Sequence, residues 1–518
     1  MKIINQIALN QNQDRSHHIH VMQDRIVETL TLAEFDRQAS SVAQHLYACG
    51  VRAGDRIGVL ARNGLEWAIL DLAILKLGGV TAGFEMGRFD PVEAVERYGL
   101  RLLFADTPPR SGEDTIEIKR IREWTNLEPT RKRFHAGYGA ADICALKFTS
   151  GSTGQPKGLE ATVGSVDDSI ATVQRMFDHG DKDNILVFLR LALLQQRYWI
   201  YSALAFGHDV TIATMDNVLS AARIAKPTVI MGVPGFFDLV KRQLELQQGE
   251  SLPSDSVRYA AIQDLLGGRI RYLWTGSAPA SRATLDFYND CGVPLYEGYG
   301  LNETCIVAKN CPSANRIGSV GKLLPHKTLR FDTNGVMIVG SRNPVNTSYA
   351  FCAPGESERM FLPSGEVVTQ DLGHLDEDGY LYVLGRVDDI VSLSSGRNVL
   401  VRPLEEGVKR EANILECVLY GNGKPFLTAV ISAGPRGHRA DISAHIARMN
   451  RETLPEQQIL GLIFAAEPFS IENDLLTSQF KPKRAEIFRR YSLELQDIYA
   501  MPLSKGELAV RYALKSGL

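Results

Sequence analysis

The residues best suited to chemistry sit together in Phe148-Thr149-Ser150-Gly151-Ser152-Thr153-Gly154-Gln155-Pro156-Lys157-Gly158. Glycines let the backbone turn until successive N–H groups face one anion, and hydroxyls and a lysine add further donors. The combination reads as a phosphate cradle. A flexible Gly/Ser connection is the bland alternative. A connection has no use for Lys157, or for hydroxyl and glycine positions closed by Pro-Lys-Gly, so the phosphate reading carries more weight. The segment is not a Walker A loop. That pattern sets Gly before Lys and Ser or Thr after it, whereas Pro156 and Gly158 flank Lys157. Metal-ligand spacing is missing: Cys49, Cys144, Cys291, Cys305, Cys311, Cys352 and Cys417 form no Cys-x-x-Cys, and no His pair lies nearby at zinc spacing.

A strand over Ala145–Phe148 must feed this loop, and its neighbours alternate strand and helix. Thr31 with Glu34 has the spacing of a capping box. Phe35, Ala39, Val42 and Leu46 follow at helical intervals, and Gly50 stands where the helix should stop. Asp55–Leu60 has the pattern of a buried strand, and a second helix is predicted from Glu66 to Leu77. Further strands are predicted at Leu102–Ala105, Asn184–Leu189, Asp209–Ala213 and Thr228–Met231. Repeated alternation implies an α/β architecture of largely parallel sheets covered by helices. The texture changes near residue 365. Short strands Glu366–Thr369 and Tyr380–Val383 flank the turn Asp376-Glu377-Asp378-Gly379. A compact α+β mixture follows, through Phe426–Ile431 to a basic helix at Lys483–Tyr491. The boundary is predicted at Arg386–Asp389, giving domains 1–385 and 386–518.

At 518 residues the chain needs at least two cores. Its 44% hydrophobic and 23% charged residues are a globular balance, which excludes a disordered bulk. A net charge of -3 with scattered basic residues argues against a nucleic-acid binder. The cysteines read as reduced packing residues, which fits the cytoplasm. The first twenty residues lack the apolar run of a signal peptide. Trp67–Val80 is interrupted by Asp71 and Lys76, and Ile185–Leu194 by Arg190, so neither is expected to span a bilayer.

Several motifs in order make the chain resemble the adenylate-forming, or AMP-binding, superfamily, closest to long-chain fatty acyl-CoA synthetases. Thr149–Gly158 resembles its phosphate loop, implying phosphate contacts from Thr149, Ser150, Gly151, Ser152, Thr153, Gly154 and Lys157. Arg269–Pro279 resembles the strand and turn lining the adenine pocket, with Gly276, Ser277, Ala278 and Pro279. Pro294–Thr304 resembles the next motif. It implies that Glu297, Gly298, Tyr299 and Asn302 surround the nucleoside, that Tyr299 stacks on adenine, and that Glu303 helps hold Mg²⁺. Thr369-Gln370-Asp371 resembles the motif whose Asp grips the ribose, here Asp371, and Gly385–Asp389 resembles the interdomain motif, with Arg386 on the ribose and Asp388 as hinge. Ser394–Asn398 resembles a loop for the thioester step, carrying Gly396. Asn473–Arg484 is similar to a carboxy-terminal motif that places the catalytic lysine at Lys481, within a basic run of Lys483, Arg484, Arg489 and Arg490. The likeness spans about Thr29 to Tyr491. It implies a large N-terminal domain of stacked α/β sheets and a small α+β C-terminal domain.

The implied reaction is an ATP-dependent acid:thiol ligation. The carboxylate attacks the α-phosphorus of ATP, pyrophosphate leaves, and a thiol then displaces AMP from the acyl-adenylate, the protein supplying position and charge. A rotation about Asp388 would withdraw Lys481 and bring up Gly396. The implied acceptor is CoA, with carrier-protein phosphopantetheine as the alternative. A homodimer and an acyl carrier protein are further partners the resemblance allows. Asn302, Gln370 and Leu193 depart from the family pattern, which motivates a rival of another class: a catalytically silent nucleotide-binding protein. The expected substrate is an apolar acyl chain, with Leu193, Val233 and Trp274 among the candidate pocket walls. An amino-acid pocket would need a buried carboxylate for the ammonium group, and the stretch Ile224–Phe237 has none; Asp238 lies just beyond it.

Overall fold

A computed structural model describes residues 2–23, 26–108, 114–126, 133–150, 156–248, 255–411, 413–435, 437–477, 480–500 and 509–512. Two sheets with parallel cores dominate the larger part. One has the strand order Thr115–Glu117, Leu102–Ala105, Arg56–Leu60, Val80–Gly83, Ile143–Ser150, Pro156–Thr162. Its last pair is antiparallel and the rest parallel. The other runs Lys322–Leu323, Cys305–Lys309, Leu295–Leu301, Tyr272–Thr275, Val229–Gly232, Asn184–Val187, Asp209–Ile212, His18–Gln23, Ile26–Thr31. Its middle strands are parallel and apolar on both faces, as burial under helices on either side demands. An antiparallel sheet of Lys327–Phe331, Val336–Ser341, Val367–Leu375 and Leu381–Arg386 follows.

Local chemistry sets the element ends. Thr31 Oγ1 accepts from the Glu34 N–H, and the Glu34 carboxylate accepts from the Thr31 N–H at 2.9 Å, capping the helix Leu32–Ala48. Gly50, at φ +93°, takes the chain out of that helix. The helix Leu65–Leu77 is buried nearly all round. It therefore places Asp71 and Lys76 inside the protein, where each meets an opposite charge: Arg197 Nη1 is 2.8 Å from Asp71, and Asp36 is 2.8 Å from Lys76. Five of the seven cysteines are buried, and all are unpaired.

One expectation is corrected. The phosphate segment is not a single loop, because Lys157 and Gly158 belong to the strand Pro156–Thr162. That strand pairs back on Ile143–Ser150, with Thr149 opposite Lys157 and Ser150 opposite Pro156. The segment is thus an antiparallel hairpin. Gly151, Ser152, Thr153 and Gly154 lie outside the described residues.

Beyond Arg386 the chain builds sheets of its own. Ile390–Ser392 pairs with Asn398–Leu400. Ile414–Tyr420, Leu427–Ala433, Ile459–Phe464 and Ala509–Tyr512 form a mixed sheet, with the helices Arg439–Glu452 and Ser492–Ala500 packed on its strand Ile459–Phe464. Two further hydrophobic clusters, around Leu427 and around Val430, form within this part. Among the described residues no helix is long and apolar enough to cross a membrane.

Backbone strain marks the regions around the site motifs. Eight non-glycine residues have positive φ among the described residues, and Ser277, Gln370 and Phe480 are three of them. Gln370, at φ +61°, sits in the strand Val367–Leu375 where the register shifts opposite Met337. The irregularity turns the following Asp371 into the protein, as a bulge does. A glycine adopts this conformation without Cβ crowding, so Gln370→Gly should stabilise the fold by about 1 kcal/mol or less, the left-handed relief exceeding the added unfolded-chain entropy. Chemical denaturation reads this out, and a lower midpoint would show that the Gln370 side chain contributes more than its backbone costs.

Candidate functional site

The strand Leu295–Leu301 positions both ends of the candidate site. Tyr299 lies on the strand, and the chain then turns sharply into Cys305–Lys309. The turn is closed by Thr304 Oγ1, which accepts from the Leu301 N–H at 3.0 Å. Asn302 and Glu303 occupy its tip. Lys147, on the strand Ile143–Ser150, donates to the Asn302 carbonyl at 2.5 Å and ties the two sheets together there.

On the strand side, the Tyr299 hydroxyl donates to Asp371 Oδ2 at 2.6 Å, and Arg386 Nη1 donates to Oδ1 at 3.1 Å. Burial pushes the Asp371 carboxyl up, with the Arg386 charge opposing it. Tyr299, Asp371, Arg386, Ser277, Ala278, Pro279, Glu297 and Gly298 line one cavity of about 1500 Å³. Gly276 does not line this cavity. Glu297 is buried, accepts from the Ala280 N–H at 3.0 Å, and is pushed up to about 7 by that burial.

Lys481 enters the same cavity from the C-terminal part. Burial, reinforced by the Arg402 and Arg386 charges, pushes its ammonium down to about 8, while Asp371 opposes the shift. The other cations of its basic run have protein partners of their own, and Arg484 also lines the cavity. Lys483 pairs with Asp474, Arg484 with Glu405, Arg489 with Glu486, and Arg490 donates to the Asn473 carbonyl.

The end of the site around Lys157 and Glu303 is organised by two residues that carry no pattern in the sequence. The Tyr349 hydroxyl donates to Glu303 Oε1 at 2.6 Å. Glu356 Oε1 lies 3.1 Å from Lys157 Nζ, which also sits 5.4 Å from the centre of the Tyr349 ring. Tyr349 and Glu356 thus hold the two charged groups of this end side by side. Their segment is stitched to the hairpin by Gly158, whose N–H donates to the Phe351 carbonyl at 2.7 Å. These contacts join residues about 50 to 200 apart in the chain, so no local spacing rule reports them.

Asp388 is exposed in a short turn, with Arg386 Nη2 3.8 Å away. The neighbouring Asp389 is buried and faces Arg484 at 3.4 Å. Gly396, at φ +80°, is the exposed tip of the hairpin after the turn, and it does not line the cavity. Of the expected pocket walls, Leu193 lines the cavity. Val233 and Trp274 do not: Val233 is packed among Phe188, Phe236 and Phe237, and Trp274 lies under Lys309 Nζ, 3.7 Å from its ring. Trp274 is on a parallel strand covered on both faces, which puts its side chain in the core, and Val233, just past the strand Val229–Gly232, is packed by the helix Pro234–Gln248 that follows. Phe84, Phe188, Leu189 and Met215 take the wall positions instead. Asp238 also lines the cavity, its carboxylate accepting from Thr284 Oγ1.

A doubly layered α/β part, followed by a small C-terminal part that brings a lysine beside an Asp–Tyr–Arg cluster, makes this a two-part α/β protein with one shared cavity. The AMP-binding enzyme family matches residues 8–335, well over half of the sequence, and the chain belongs to that family and is an enzyme. It is similar to the long-chain-fatty-acid–CoA ligase FadD15 of Mycobacterium tuberculosis, 26% identical over 596 aligned positions, covering 96% of this chain and 97% of that protein. It is 24% identical to the 2-succinylbenzoate–CoA ligase of Bacillus thuringiensis, over 76% of this chain and 80% of that one. The fold matches ATP-bound MatB from Rhodopseudomonas palustris with a TM-score of 0.79 at 21% identity, over 96% of this chain and all of that one. It also matches AMP-bound MenE from Bacillus subtilis, with a TM-score of 0.74 at 21% identity over 94% and 97%.

Proposed function

We propose that this enzyme adenylates an apolar carboxylic acid with ATP and transfers the acyl group to CoA. The observation that carries the reading is Lys481 entering the cavity walled by Asp371, Tyr299 and Arg386. In this reading Asp371 and Arg386 take the ribose and Tyr299 the adenine face. Lys157 and the hairpin, with Thr149 and Ser150 at its rim, take the β- and γ-phosphates. Lys481 neutralises charge between the acid and the α-phosphate. The acid's oxygen forms a bond to the α-phosphorus as the bond to pyrophosphate breaks. The CoA thiol, losing its proton, then attacks the carbonyl carbon, and AMP leaves. The proposed units are 1–385 and 386–518, and rotation at Asp388 would exchange Lys481 for Gly396 between the steps.

Magnesium fits this site as a companion of the nucleotide. Glu303 uses one carboxylate oxygen on Tyr349 and has a second for a cation. Among the described residues no group of three or more His, Cys, Asp or Glu could hold a metal. One carboxylate plus substrate phosphates is a usual magnesium environment. Bound there, the ion would neutralise phosphate charge.

Three observations favour an apolar acid. Phe84, Phe188, Leu189, Leu193 and Met215 contribute apolar wall. Fatty-acid–CoA ligases are among the relatives that span nearly the whole chain. Asp238, an acid in the cavity wall on the helix Pro234–Gln248, is already engaged by Thr284. The test is acid-dependent ATP–pyrophosphate exchange with octanoate, dodecanoate, benzoate and phenylalanine. The fatty acids should give the higher kcat/KM. Benzoate or phenylalanine in front would overturn the substrate class, and exchange with none of them would favour a silent nucleotide-binding protein.

A further inference from the structure

Resting on this ligase reading, we propose that Phe480 and Gly235 form the contact that docks the C-terminal unit with Lys481 in the cavity. Phe480, the residue before Lys481, leaves its own unit and packs against the N-terminal core cluster containing Phe188, Val233 and Phe236. Its partner is the first turn of the helix Pro234–Gln248. A methyl group placed on Gly235 would lie 2.8 Å from Phe480 Cβ and 3.0 Å from its Cγ. Real Cβ atoms do not approach so closely, and the atom met is the root of the side chain, which cannot swing aside. Glycine at 235 is therefore what lets the ring seat.

The ring and the lysine move as one piece. The Phe480 N–H donates to the Thr477 carbonyl at 2.9 Å, the Thr477 N–H to the Lys481 carbonyl at 2.8 Å, and the Lys481 N–H to Thr477 Oγ1 at 3.1 Å. Phe480 itself is held at φ +58°, a conformation that a bulky residue keeps only when its surroundings impose it. Seating the ring on Gly235 thus fixes the backbone from which Lys481 projects. Both are positioning residues. They act in the half-reaction that needs Lys481 and have no part in the one that does not.

The test compares both half-reactions in full-length protein, using dodecanoate for pyrophosphate exchange and dodecanoyl-adenylate with CoA for thioester formation. Gly235→Ala should cut exchange about ten-fold or more and leave thioester formation within about two-fold, since the ring is displaced and the fold is kept. Limited chymotrypsin cleavage after Phe480, which needs no activity, should quicken several-fold in the same variant. In a Phe480→Ala background the Gly235→Ala change should add no more than about two-fold, because the collision is gone. Equal loss in both half-reactions, full additivity of the two substitutions, or unchanged cleavage would each overturn the contact. A wild-type protein without exchange would sink the ligase reading instead, and the cleavage comparison would still decide the docking.

Discussion

Lys481→Ala is expected to lower pyrophosphate exchange by about 10²–10³-fold, the usual loss when one charge-stabilising donor leaves a water-poor site. Thioester formation from a supplied acyl-adenylate should stay within about two-fold, because the α-phosphate bond is already made when that step begins. A pH profile adds an independent check. Burial and two neighbouring guanidinium groups bring the Lys481 ammonium down to about 8. The cation is therefore complete below that pH and is lost above it. Exchange measured as kcat/KM, which reports the free enzyme, should fall as pH rises through about 8. Lys481→Arg, whatever its absolute rate, should lack that basic limb, since a guanidinium stays charged throughout. Equal damage to both half-reactions, or a larger effect from Lys483→Ala, would move the role to another residue.

The largest expected effect on stability comes from the core. Arg197 is fully buried, and Asp71 accepts from its Nη1 at 2.8 Å and from the Tyr201 hydroxyl at 2.5 Å. Arg197 Nε and Nη2 have no hydrogen-bond partner among the described residues, and the guanidinium carbon lies 5.3 Å from the centre of the Trp67 ring. Asp71→Ala would strand this cation in an apolar layer, a loss of about 3–5 kcal/mol by analogy with broken buried pairs. Adding Arg197→Met should return much of it, because no charge is then left unpaired. Denaturation midpoints of the single and double variants decide this. A single variant within about 1 kcal/mol of wild type would show that water reaches Arg197 once the carboxylate is gone.

The strand–helix alternation, the capping box at Thr31 and Glu34, and the stop at Gly50 were legible because each depends on residues a few positions apart. The strand leading into Thr149 and Ser150 was legible too, but its antiparallel pairing with Pro156–Thr162 was not. Pairing of Thr149 with Lys157 is a backbone event that side-chain types do not announce. The motifs named Tyr299, Asp371, Arg386 and Lys481, and the fold brings all four to one cavity. Tyr349 and Glu356 had no comparable sign, because their partners Glu303 and Lys157 are distant in the chain.

The sequence by itself determined the class of architecture and the residue types that surround the site, since periodicity, capping and motif order are properties of neighbours along the chain. The tertiary structure alone decided which charges are buried and what each faces. Asp71 and Lys76 look like interruptions in an apolar stretch until Arg197 and Asp36 are found opposite them. Val233 and Trp274 look like pocket walls until they are found packed within the core clusters. Lys481 looks like one cation of a basic run until Lys483, Arg484 and Arg489 are found paired with carboxylates and Lys481 is found in the cavity with Asp371, Arg386 and Arg402. Burial and long-range pairing set the energy of a charge, and both depend on segments that only folding brings together.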